Sequence, residues 1–129
     1  MIEIKRVTDI ELAKKICCEN DVAWDPNYHI IATLEHENVL QCAVFSYKKD
    51  IGNIHVISGF NGELSLLDGL CRAILNIMDI NGVKCVYLPL KYREIAELIG
   101  FKKENAQYLL ELEGFFSCGC CKNTEKGTV

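Results

Sequence analysis

The chain has 129 residues, half of them hydrophobic and a quarter charged, with a formal net charge of −4. That is one globular domain's worth of chain with enough apolar material for a core. The acidic balance, the lack of a basic stripe and the lack of any run near the ~20 apolar residues of a spanning helix argue against nucleic acid or membrane as a partner.

The N-terminal MIEIKRV alternates Ile2 and Ile4 against Glu3 and Lys5 and reads as a first strand. Thr8 or Asp9 is placed to cap a helix over IELAKKICCEN, whose Ile10, Ala13, Ile16 and Cys17 share one face. DPN at 25–27 marks a turn. HIIATLE and VLQCAVFSY are then two strands joined by His36-Glu37-Asn38, and IHVIS is a third after the turn KKDIGN.

From Leu64 the period changes. Leu66, Leu67, Leu70, Cys71, Ile74, Leu75, Ile77 and Met78 recur at spacings of three and four, so a helix is expected over 64–80, stopped by Asn81-Gly82. VKCVYLPL is nearly continuous in apolar residues, as in a strand buried on both faces. YREIAELIG reads as a short helix with Ile95, Leu98 and Ile99 inward, and QYLLELEGFF as the last strand. The expected order is β-α-β-β-β-α-β-α-β. It implies an α/β chain of α+β type with a mixed, mostly antiparallel sheet, in which IHVIS and VKCVYLPL are parallel neighbours. Residues 1–116 form a single domain, and 117–129 are a flexible cysteine-containing tail.

Eight cysteines stand at 17, 18, 42, 71, 85, 118, 120 and 121. The N-terminus holds no apolar segment of signal-peptide length, so the expected location is cytoplasmic and a disulfide framework is not expected. Cys42, Cys71 and Cys85 lie in apolar runs and read as small buried hydrophobes. SCGCCK gathers Cys118, Cys120 and Cys121, one ligand short of a closed zinc site and without C-x-x-C spacing, so no metal site is assigned.

The order of elements resembles the GNAT superfamily of acyl-CoA-dependent N-acyltransferases. Three features carry the resemblance: IHVIS followed by a loop and a long amphipathic helix ending at Asn81-Gly82, the strand VKCVYL, and REIAELIGF closing on Gly100-Phe101. It covers roughly residues 50–116. The resemblance implies acetyl-CoA as cofactor and transfer of the acetyl group to the amine of a small molecule or a protein. Val56, Ile57 and Ser58 would hold the pantetheine. Asn61, Gly62, Glu63, Leu64 and Ser65 would meet the pyrophosphate, at the start of a helix whose N–H groups favour anions. Tyr92 or His55 would assist proton transfer.

The chain departs from the family's pattern. Asn61 stands at the usual Arg/Gln position, Leu64 and Leu66 at the two glycine positions, and Ala96 where many members carry the Tyr that protonates the leaving thiolate. Tyr92 is one helical turn earlier. Two expectations therefore stand side by side: an N-acetyltransferase with a degenerate cofactor loop, and a non-catalytic GNAT-like binding domain. A metal or thiol protein acting through the CGCC tail is a third. Trp24, Tyr28 and His29 follow the first helix and would border the acceptor site in such a fold. A homodimer is compatible with a sheet domain of this size.

Overall fold

The computed structural model describes residues 2–59 and 64–115. Asn61, Gly62, Glu63 and the cysteines at 118, 120 and 121 lie outside the described residues. The elements are β1 (Ile2–Arg6), α1 (Ile10–Glu19), β2 (His29–Glu35), β3 (Asn38–Lys48), β4 (Ile51–Ser58), α2 (Leu64–Ile80), β5 (Cys85–Pro89), a 3₁₀ turn (Leu90–Tyr92), α3 (Arg93–Ile99), β6 (Lys102–Glu104) and β7 (Gln107–Glu111). The strands form one sheet in the order β1-β2-β3-β4-β5-β7-β6. Only β4 and β5 run parallel, joined by α2 as the crossover; every other neighbouring pair is antiparallel.

Two cores flank the sheet. On one face α1 packs Ala13, Ile16 and Cys17 against Ile30, Ala32, Cys42, Val44 and Val56. On the other, α2 and α3 cover Ile31, Phe45, Ile54, Ile57, Val86 and Leu88. In α2, Leu67, Leu70, Cys71, Ile74, Leu75 and Met78 are all buried. Each fully buried Leu, Ile or Met of that stripe contributes about 1.5–3 kcal/mol, which makes α2 the main brace of the sheet.

Local chemistry sets the boundaries. Asp9 Oδ1 accepts from the N–H of Glu11 (2.9 Å) and of Leu12, capping α1. Asn81 Nδ2 donates to the Ile77 carbonyl, and Gly82 turns left-handed (φ 85°) to stop α2. Gly100 (φ 108°) ends α3, with its N–H and that of Phe101 on the Ala96 carbonyl. The β2–β3 turn is His36-Glu37 (φ 52° and 69°), a two-residue reversal with both central residues left-handed. Asn38, expected in that turn, already belongs to β3.

Several expectations need correction. Ile10 is on the outer side of α1 at 55% exposure, while Ala13, Ile16 and Cys17 are buried against the sheet. Leu98 likewise faces outward, and Ala96 takes the inward place beside Ile95 and Ile99. β5 is buried on one face only. Val86 and Leu88 are sealed, whereas Cys85, Tyr87 and Pro89 are half-buried because no helix covers that side. The last strand is a hairpin, with Lys102-Lys103-Glu104 forming an additional strand, β6.

Two glycines admit no side chain equally well. A Cβ on Gly52 would meet Met78 Sδ at 2.6 Å, the end of a pliable chain. A Cβ on Gly59 (φ 83°) would overlap the Leu40 carbonyl oxygen and lie 3.1 Å from Gln41 Cα, both backbone. Gly59→Ala is therefore expected to cost about 3 kcal/mol, strain and overlap combined, and Gly52→Ala about 1 kcal/mol. Chemical denaturation of the two variants checks the ranking.

Candidate functional site

β4 is paired to β3 along its whole length, yet its parallel pairing with β5 stops after Ile51↔Cys85, Gly52↔Val86 and Asn53↔Tyr87. From Ile54 to Ser58 the second edge of β4 has no strand beside it among the described residues. The cause is a bulge. Val56 pairs with Val44 and Ile54 with Phe45, so His55 is one residue too many for β3. A bulge bends and twists its strand, and β4 departs from β5 at that point.

The bulge also re-aims side chains. Ile54 and Ile57 both enter the α2-side core, while Val56 enters the α1-side core. His55 is half-buried among Ser46 and Tyr28. Its Nε2 lies 2.7 Å from Ser46 Oγ, and the Tyr28 ring is 4.7 Å from the imidazole centre. Burial holds His55 below the ordinary histidine value of 6.5, and the Asp25 carboxylate works against that shift. Burial thus favours the neutral imidazole. Its partners Tyr28 and Ser46 line a pocket of about 870 Å³, together with Asp25, His29, Tyr47 and Asn53 among others. His29 stacks on Tyr47 (4.8 Å, 8°) and contacts Arg6; burial first, then the Arg6 charge, lowers its pKa as well.

Tyr92 closes the opening from the other side. It belongs to the 3₁₀ turn after β5, ahead of α3, and its hydroxyl accepts the Ile57 N–H at 3.1 Å across 35 residues of sequence. The contact is buried. Thus Tyr92 does reach β4, although not from the helical face on which the spacing had placed it. Ala96, one turn on, is sealed in the core and offers no proton.

The remaining expected site residues are spread differently. The Val56 and Ile57 side chains are committed to the two cores, leaving backbone as the only group they can offer. Ser58 Oγ lies 3.1 Å from Cys42 Sγ, at the edge of a second pocket of about 450 Å³ bordered by α1. Leu64 begins α2, whose first turn holds no acidic residue, and Ser65 is exposed. Leu66 is half-buried. Beside Gly59, Gln41 is 98% buried; its Oε1 accepts from Thr33 Oγ1 (3.2 Å), and its Nε2 has no hydrogen-bond partner among the described residues.

These features bear on whether a thioester donor fits. An amide-bearing arm needs a strand edge to pair with, and Ile54–Ser58 supplies one. A phosphate needs a helix start free of like charge, and the acid-free first turn of α2 supplies one, whereas Gly59 is closed in by the Leu40 carbonyl. The residues fit, with one condition: Tyr92 holds the Ile57 N–H.

Three of the five described cysteines are buried, and Cys18 is exposed. Burial raises the pKa of Cys17 and Cys42, and pushes Cys71 up to about 12, so all three stay protonated. Nor do the described residues hold a group of three metal-ligating side chains. None of the described helices is long and apolar enough to cross a membrane. Ser46 was not foreseen as a partner for His55, because nothing local to either residue announces the register that joins them.

No family model and no curated protein matches the sequence. Solved structures do. The ribosomal-protein-S18-alanine N-acetyltransferase of Escherichia coli is 12% identical with a TM-score of 0.68, over 87% of this chain and 94% of that one. An acetyltransferase of the GNAT family from Staphylococcus aureus Mu50 is 12% identical with a TM-score of 0.62, over 87% and 99%. Escherichia coli YhhK bound to coenzyme A is 17% identical with a TM-score of 0.64, over 86% and 98%. At these identities the likeness is one of fold, and the fold of this chain is that of the GNAT acetyltransferases.

Proposed function

We propose that the chain is an acyl-CoA-dependent N-acyltransferase that passes an acetyl group to the amine of a small molecule or a protein. The observation that carries this reading is the β4 edge Ile54–Ser58, which no described strand pairs, with the half-buried His55 imidazole at its bulge. Acetyl-CoA supplies the activated thioester. The Ile54–Ser58 backbone holds its amide-bearing arm, and the loop from Gly59 to Leu66 receives its phosphates. An acceptor amine enters from the pocket beside Tyr28 and Ser46. It must be neutral to attack, and His55 takes its proton. Ser46 Oγ holds the ring in place through Nε2. Tyr92, whose hydroxyl already touches the β4 backbone, is the group placed to return a proton to the departing sulfur.

One observation favours a second reading, a non-catalytic binding domain. The Tyr92 hydroxyl occupies the Ile57 N–H that a donor would use, and Ala96 leaves the family's usual proton donor missing. Tyr92→Phe separates the two. Removing the hydroxyl strands a buried N–H and is expected to destabilise the free protein by about 1–3 kcal/mol. It also frees that N–H for a ligand. In calorimetry with acetyl-CoA, micromolar binding by the wild type supports the acyltransferase. Binding by the variant alone makes Tyr92 a plug and supports the binding domain.

The pH dependence tests His55. A base acts in its neutral form, and its pKa lies below 6.5. Beside the titration of the acceptor amine itself, which every variant shares, acyl transfer at saturating donor is therefore expected to show an acid limb below pH 6.5. His55→Gln should lower kcat/KM by roughly 10²–10⁴ and abolish that acid limb. A limb that persists in His55→Gln excludes this histidine as the base.

A further inference from the structure

The outer edge of β1 is free among the described residues, and its polarity can be read from one bond. The Val7 N–H donates inward to the Ile30 carbonyl at 2.8 Å. With the β1–β2 register unbroken from Ile2↔Glu35 to Arg6↔Ile31, strand alternation turns the N–H and C=O of Glu3 and Lys5 toward β2. Those of Ile2, Ile4 and Arg6 therefore point outward. All five residues of β1 are exposed, Ile2 at 45% and Ile4 at 40%.

We propose that this edge is a homodimer seam, with β1 pairing antiparallel to β1 of a second copy about a twofold axis at Ile4. Outward groups can pair only with outward groups, which leaves three registers centred within the strand. Centring on Ile4 places Ile4 opposite Ile4 and Ile2 opposite Arg6, and satisfies every outward N–H and C=O of β1. The same register sets Glu3 opposite Lys5 of the second copy, twice. These are non-hydrogen-bonded positions, where side chains approach most closely. Sliding by one step either way sets Glu3 opposite Glu3, or Lys5 opposite Lys5. Charge therefore selects the centred register and rejects its neighbours. In the single chain Glu3 and Lys5 are already 3.3 Å apart on one face, so the pairing exchanges partners without stranding a charge. On the opposite face, the exposed Ile4 side chains meet across the axis and leave water.

A five-residue seam buries less than the ~1,200 Å² of stable interfaces, so the dimer is concentration-dependent. Sedimentation velocity on the reduced full chain, up to about 1 mM, tests it. The wild type is expected to shift from monomer to dimer. Glu3→Lys should weaken association at least about tenfold, and Glu3→Lys/Lys5→Glu should restore it. Ile4→Pro removes only an outward N–H and leaves the β1–β2 ladder intact, so it should give a folded monomer by circular dichroism. A wild type that stays monomeric throughout, a dimer indifferent to Glu3→Lys, or a charge swap that fails to restore it would overturn the seam.

Discussion

One surplus residue in β4 decides the architecture of the site. Ile54 and Ile57 are three positions apart, an odd separation that a regular strand would send to opposite faces. Both nevertheless lie in the α2-side core, and Val56 lies in the other. Unbulged alternation would put Ser58 in the α2-side core and Ile57 against α1. The bulge keeps the Ser58 hydroxyl out of the α2-side core and puts Ile57 there, and it forgoes roughly one ladder hydrogen bond, net about 1 kcal/mol. His55 is left over. Its position, the bend in β4 and the departure from β5 are consequences of packing two isoleucines on one face.

The bend creates a problem that Tyr92 solves. A buried N–H without a partner costs about 1–3 kcal/mol, and the edge beyond Asn53 has lost β5 as a source of acceptors. The Tyr92 hydroxyl answers one of those donors from the 3₁₀ turn that follows β5. Exchanging that hydroxyl for a ligand carbonyl is nearly neutral, since one hydrogen bond replaces another. Whether a donor binds is then decided by its other contacts: the rest of the β4 edge and the start of α2. In the proposed function the same tyrosine fills this gap in the free protein and supplies the proton in a complex.

Much of this fold is legible in the chain because burial leaves periodic traces. The α2 stripe gives its bounds at 64 and 80, since Leu67, Leu70, Cys71, Ile74, Leu75 and Met78 must all face one sheet. β6 leaves no such trace. Lys102, Lys103 and Glu104 bury nothing and are a strand only because β7 pairs with them. β5 misleads for the opposite reason, carrying Tyr87 and Pro89 on a face that no helix covers. For the site, IHVIS does contain the bulge as a break in alternation, apolar at 54, 56 and 57. Composition cannot show that Ser46 lies next to His55 or that the Tyr92 hydroxyl reaches Ile57, because both contacts arise from register and from the course of the 3₁₀ turn. The loop positions expected at 61–63 lie outside the described residues.

The sheet's two rims show the same requirement met differently. A strand edge offers unpaired donors and acceptors that something must satisfy. β6 is short and carries three charged residues, the composition that discourages another strand from pairing. At Ile57 the inner edge of β4 is buried and is answered from within by a phenol. β1 is longer than β6 and open to solvent, and it places Ile2 and Ile4 on one face and opposite charges on the other. Charges of one sign would repel any copy of the same strand. Glu3 and Lys5, spaced symmetrically about Ile4, repel every register but one, so an edge that looks guarded by its charges is open to its own sequence.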